Sequence, residues 1–181
     1  SSYAALRVEG PLDLDRLASA VDALVRRHEA LRTTFADPAR RPRRVVHPHL
    51  AVPLARHAAA SEAEALAQLQ AAALADYDLV AGPLCRFAVW RLGPERHVVL
   101  VAVNHVVFDG WSMKVLLADL STAYGGAALA QDAVDYSDYL RWQRGRLRGL
   151  LPRQLAYWLL KGRDMPVVLE LPTDKPRPAA L

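Results

Sequence analysis

The chain has one cysteine, Cys85, inside an apolar, strand-like stretch. A single thiol excludes an internal disulfide framework, and no His/Cys spacing suited to a metal accompanies it, so Cys85 reads as a small buried hydrophobe. Long apolar runs are also lacking. None reaches the ~18–20 residues needed to cross a bilayer, and the opening SSYAALRVEG has no signal-peptide apolar core. The expectation is a soluble, cytoplasmic protein with no membrane partner. Lysine is scarce: arginine supplies 20 of the 23 basic residues, at a net charge of +4. The one dense basic cluster, ARRPRR at Ala39–Arg44, is short, broken by Pro42 and free of interleaved aromatics. It reads as a solvated basic turn and excludes a nucleic-acid footprint, while leaving room for an acidic partner.

What is present is enough for one core: 181 residues, 52% of them hydrophobic, with no internal repeat. Tyr3–Glu9 alternates loosely as a strand does, and Gly10-Pro11 ends it. Asp13 is a good N-cap for a helix from Leu14 to His28, whose Leu14, Leu17, Val21, Leu24 and Val25 share one face. Leu31–Phe35, Arg44–His47 and Val52–His57 read as short strands. Ser61 caps a helix to Ala75, with Glu64 placed for a capping box. Leu84–Leu92 and His97–Val103 read as a strand pair joined by a Gly-Pro-Glu-Arg turn. Helices follow at Trp111–Tyr124, stopped by Gly125-Gly126, and at Asp135–Arg148 and Arg153–Lys161, divided by Pro152. Val167–Leu171 is a short extended run before a proline-rich tail. This order is α+β and does not repeat β-α-β, which argues against a doubly wound parallel sheet.

The chemistry concentrates in VVLVAVNHVVFDGWSM, Val98–Met113. Six consecutive apolar residues, four of them Val, read as a strand buried on both faces. Asn104, His105, Asp109 and Gly110 follow, and a helix begins behind them. A histidine where a buried strand leaves the sheet, with an acid four residues on, holds a base at the edge of a cleft. The same residues also suit a satisfied structural histidine. His28, His47, His49, His57 and His97 stand at no chemical spacing and are given no role.

NHVVFDGWS resembles the H-H-x-x-x-D-G-W-S signature of condensation domains from nonribosomal peptide synthetases, within the wider chloramphenicol acetyltransferase-like superfamily. Four further stretches are similar to segments of that family, in its order: RHEALRTTF at Arg27–Phe35, DYDLVAGPLCRFAVWRL at Asp76–Leu92, YSDYLRWQR at Tyr136–Arg144, and YWLLKG with LELPTDKPRP at Tyr157–Pro178. The resemblance implies a chloramphenicol acetyltransferase-like sandwich, a mostly antiparallel sheet with helices packed on one side. It further implies that residues 1–181 form the N-terminal subdomain, incomplete at its start, with residues 172–181 linking to a second subdomain. The activity implied is amide bond formation between a carrier-bound thioester and the amine of a carrier-bound aminoacyl group, with this piece inactive alone. Partners are then upstream and downstream peptidyl carrier proteins, the second condensation subdomain and an adenylation domain. No metal or directly bound cofactor is implied, since phosphopantetheine arrives on the carriers.

In that family the second histidine assists the amine, and His105 matches it. Asn104 departs from the usual His; an amide cannot titrate near neutrality but replaces an imidazole's hydrogen bonds. Asp109 either orients His105 or turns away to an arginine; the family does the second, with Arg32 and Arg27 as matching positions and Arg32 the first choice. Gly110 permits a tight turn or close approach of a ligand to backbone. Trp111 and Ser112 open the following helix; they are substrate-channel candidates, with core packing the simpler reading for Trp111 and a helix-start role for Ser112. Two other functions remain: a non-catalytic, condensation-like recruitment domain, and a stand-alone H-x-x-x-D-G acyltransferase using an alcohol.

Overall fold

A computed structural model describes residues 2–130, 134–166, 172, 174 and 175. The chain divides into two compact units, Ser1–Tyr136 and Ser137–Leu181. In the first, β1 (Ser2–Glu9), β4 (Leu54–Ala58), β5 (Cys85–Arg91) and β6 (Arg96–Val103) form a four-stranded sheet in the order β1-β6-β5-β4. β6 is antiparallel to both neighbours, pairing Val103 with Ser2 and with Cys85, and β4 runs parallel to β5. Between them come α1 (Leu14–Arg27), a 3-10 turn at Glu29–Arg32, a hairpin of β2 (Thr33–Ala36) with β3 (Arg43–Val46), and α2 (Glu62–Leu74). α3 (Gly110–Tyr124) follows β6.

The expected α+β class holds, but the helices do not all lie on one side. Residues of β6 alternate between two cores. Val99, Val101 and Val103 join Phe87 and Val89 beneath Leu17, Val21 and Leu24 of α1 and Leu116 and Leu120 of α3. Val98, Leu100 and Ala102 join Ala88 and Trp90 beneath Ala65, Leu69 and Ala73 of α2. An unbroken apolar strand has two faces to cover, and one helical layer covers only one. On the α2 side the Trp90 indole N–H donates to Gln68 Oε1 at 2.8 Å. Cys85 is buried as expected, and burial pushes its thiol up to about 12.

The helix caps form where the sequence puts them. Asp13 accepts from the backbone N–H groups of Asp15 and Arg16, and Ser61 from that of Glu64. The return bond is donated by Ala60 N to Glu64 Oε2 at 2.8 Å, one residue earlier than a capping box has it. Leu31 and Arg32 belong to the 3-10 turn, so β2 starts two residues later than the β-branched pattern implied.

α4 (Tyr136–Gly162), which lies in the second unit from Ser137 on, is one helix in place of the two expected. Pro152 lies inside it; a proline there removes one backbone bond, and the Leu-, Arg- and Gln-rich sequence on either side carries the helix through. The extended run Val167–Leu171 lies outside the described residues.

His97 generates a prediction. It sits in β6, only 4% exposed, and its Nδ1 has no hydrogen-bond partner among the described residues. Burial first, and then the charge of Arg91, push its imidazole below the ordinary 6.5. The unfolded chain therefore takes up this proton first, and stability present at neutral pH is lost as pH falls below about 6.5. Thermal melts from about pH 7.5 to about pH 5 are expected to fall more steeply for the wild type than for His97→Leu. Parallel slopes would show that His97 is not the group responsible.

Candidate active site

The residue after β6 is Asn104, and it ends the strand by turning its side chain back on the chain. Its backbone N–H still pairs with Leu84 O at 2.8 Å, continuing the sheet by one bond. Its side-chain Oδ1 then accepts from Val106 N at 3.0 Å, and its carbonyl from Val107 N at 3.2 Å. This is an Asx-type turn, the local bonding for which asparagine is well suited. Phe108 closes the turn by burying its ring in the α1–α3 core. His105 is thereby held between a buried strand and a buried phenylalanine, with its own side chain exposed.

Asp109 sits at the N-cap of α3 with an extended backbone. One carboxylate oxygen accepts from Ser112 N at 2.8 Å and from Ser112 Oγ at 2.6 Å. These bonds, led by the Ser112 hydroxyl, hold the Asp109 carboxyl below its ordinary 3.8, with a smaller contribution from the charge of His105. The expected pair with Arg32 does not form. Arg32 donates from Nη1 to the His47 carbonyl at 2.7 Å, and its buried Nε has no partner among the described residues. Arg27, the other matching position, is half-buried at the end of α1 and bonds neither Asp109 nor another acid among the described residues. The physical reason is local: the backbone N–H and hydroxyl of Ser112 at the start of α3 satisfy the Asp109 carboxylate, and an exposed cap avoids the desolvation a buried ion pair requires.

The remaining candidates are placed as follows. Gly110 is the first residue of α3, and a Cβ there would meet nothing within 4 Å, so no tight turn demands glycine. The open space is compatible with close approach of a ligand. Trp111 is 72% exposed, with the Lys114 ammonium 5.3 Å from its ring centroid, so it does not pack in the core. Ser112 serves the start of the helix, as expected. Met113 packs against the core.

The motif RHEALRTTF turns out to be architectural nearly throughout. His28, closing α1, meets Asp119 of α3 through Nε2 at 2.7 Å. Arg44 donates to the buried Glu29 at 2.9 Å. The Thr33 hydroxyl donates to the Glu29 carbonyl at 2.7 Å, and Thr34 Oγ1 shares a 2.8 Å hydrogen bond with His47 Nε2. Sequence reasoning gave His28 and His47 no role, and their partners, distant or across a hairpin, left no spacing to read. Among the described residues no cluster of His, Cys, Asp and Glu could hold a metal ion, and no helix is long and apolar enough to cross a membrane.

A mostly antiparallel sheet presents an exposed histidine on the turn between a buried strand and a helix, a placement suited to a general acid or base. The comparisons make this specific. Residues 1–180 match the model of the condensation domain. The dimodular nonribosomal peptide synthase of Bacillus subtilis (strain 168) is 36% identical over 188 residues, covering 97% of this chain and 8% of that protein. The structure of the complex of the X-domain and OxyB from teicoplanin biosynthesis superposes with a TM-score of 0.88 at 30% identity, over 98% of this chain and 41% of that one. The condensation domain from monacolin K polyketide synthase MokA superposes with a TM-score of 0.78 at 26% identity, over 94% of this chain and 39% of that one. The chain belongs to the condensation domain family of nonribosomal peptide synthetases, and its fold is the chloramphenicol acetyltransferase-like one of that family. It spans well under half the length of each of these relatives.

The cap generates the next prediction. Asp109→Asn keeps an oxygen for Ser112 and should hold the melting temperature close to wild type, while Asp109→Ala should lower it by a few degrees. Because the folded carboxyl lies below 3.8, the charged cap contributes above that pH and is lost as pH falls through the lowered value. Equal losses for Asn and Ala would return Asp109 to an ion-pair role.

Proposed function

We propose that this chain is the N-terminal subdomain of a condensation domain that forms an amide between a carrier-bound aminoacyl, peptidyl or acyl thioester and the amine of a carrier-bound aminoacyl group. The observation that carries this reading is His105: an exposed imidazole on a turn fixed at both ends by buried residues. The acceptor amine attacks the thioester carbon, the C–N bond forms and the C–S bond breaks. His105 accepts or hydrogen-bonds the proton the amine loses, and a proton returns to the leaving thiolate of the donor's phosphopantetheine arm. Asn104, Asp109, Gly110 and Ser112 shape the turn and helix start, Arg32 braces the end of the β2–β3 hairpin, and Trp111 is a channel-wall candidate. The covering of only 41% and 39% of the solved relatives supports a second subdomain as partner, alongside peptidyl carriers and an adenylation domain in a cytoplasmic assembly.

His105→Ala, in a protein that includes the second subdomain, is expected to lower single-turnover condensation between loaded carriers by ~10²–10⁴-fold with the circular dichroism unchanged. An unchanged rate would remove His105 from the chemistry. The described chain alone should be inactive even with both carriers loaded, because holding two reactants is worth ~7–11 kcal/mol and the exposed turn holds neither. Turnover like that of the two-subdomain protein would overturn the subdomain reading.

A second reading is favoured by one observation each in sequence and comparison. Asn104 departs from the family's usual histidine, and the X-domain, similar at a TM-score of 0.88, is known in complex with another protein, OxyB. In this reading the chain is a condensation-like recruitment domain. Loss of condensation in His105→Ala favours the first reading, and retention of partner binding without any condensation favours the second.

A further inference from the structure

α1 and α3 run antiparallel. The Tyr124 hydroxyl, near the end of α3, accepts from Asp13 N at the start of α1 at 3.0 Å, and His28 at the end of α1 meets Asp119. Beyond α3 the chain turns at Gly125 and Gly126, and Leu129 packs back on the core. Between residues 126–129 and the outer side of α1 lies an open cleft of about 660 Å³. Arg16, Arg26 and Arg27 stand along it over a floor of alanine and glycine, and no acidic side chain lines it among the described residues.

The charges differ in how far they are satisfied. Arg16 lies over the Tyr124 ring at 5.2 Å and has no ion pair among the described residues. Arg26 shares its charge with Asp22 at 2.5 Å, in an exposed pair of small worth. Arg27 has no acid beside it on this side. The neighbouring cleft, about 430 Å³ and also touched by Arg27, is lined by Glu29, Asp119 and Asp135 and would repel an anion. Helix rise is ~1.5 Å per residue, so Arg16 and Arg26 stand about 15 Å apart along the axis. One phosphate or carboxylate reaches one end only. An extended peptide advances ~3.3 Å per residue, so acids about five residues apart reach both. Guanidinium forks favour carboxylates, which they bind two bonds at a time, and the small floor lets a peptide backbone approach closely.

We propose that this cleft is a docking groove for an acidic peptide segment of a partner protein, with carboxylates meeting Arg16 at one end and Arg26 and Arg27 at the other. Its Arg16 end stands apart from the His105 turn: it adjoins the C-terminal end of α3, and 15 helical residues place that about 22 Å along the helix from the turn.

The test uses a fluorescein-labelled Gly/Ser peptide with two Glu-Glu pairs about five residues apart, followed by fluorescence anisotropy on the full 181-residue chain. Saturable binding is expected. Arg27→Gln, and separately Arg16→Gln, should each weaken it about tenfold with unchanged circular dichroism. A peptide with its Glu pairs adjacent should bind more weakly. Four results would overturn the proposal: no saturable binding; equal competition by inorganic phosphate, which marks a single-anion site; an equal loss from Arg40→Gln with Arg41→Gln on the β2–β3 hairpin, which marks unspecific charge; or loss of binding in a longer chain, which marks a groove filled by the protein's own sequence.

Discussion

β6 has no solvent-facing side, and the remainder of the first unit is arranged to make that possible. Its residues Val98–Val103 are all buried, alternately against α1 with α3 and against α2. Its backbone is paired on both edges, with β1 and with β5. Burying a side chain of Val or Leu size contributes ~1.5–3 kcal/mol, so such a strand is anchored far more firmly than any surface loop. A strand fixed in every direction fixes the first residues after it. That is how an exposed side chain, His105, comes to have a well-determined backbone.

The turn that carries His105 is stabilised almost wholly by short-range polar bonds. Asn104 bonds Val106, Asp109 bonds Ser112, and Phe108 supplies the apolar anchor between them. Neither polar group has to be desolvated to do this. A buried Asp109–Arg32 pair would have required it, and the gain from such a pair often fails to exceed the loss of hydration. Asn104 also has a neutral side chain at every physiological pH, so its own bond to Val106 does not depend on titration.

How much of this could be read from the residues depends on the range of the interaction. Asp13, Ser61 and the unbroken apolar run of Val98–Val103 are local patterns, and the structure shows the two caps and the two-sided burial they imply. Asp109 as a cap was equally local, since a helix begins at the next residue, but the family pattern drew attention to a distant arginine instead. The side occupied by α2 was not legible, because α2 shows only an Ala- and Leu-rich composition with weak segregation of its apolar residues. Yet the double-sided burial already expected of Val98–Val103 requires a cover on each face, and that argument could have placed a helix there. His28 with Asp119 and Thr34 with His47 depend on how α1 meets α3 and how β2 meets β3, which no single segment encodes.

The exposure of His105 bears on where rate enhancement arises in such a site. Proton transfer by one positioned side chain contributes ~10²–10⁴-fold, about 3–5 kcal/mol. Orientation of two reactants contributes more, and it demands walls on opposite sides of the reacting atoms. The strand-to-helix turn presents one imidazole and a single surface. Trp111, exposed beside it with a lysine over its ring, is an apolar surface of the size that a substrate arm or an apposed protein face covers. A fold that fixes the backbone at His105 by burying the strand before it leaves that side chain open to contact from outside. The same rigid strand could therefore serve a reaction that needs a second wall, or a recruitment surface that needs only one.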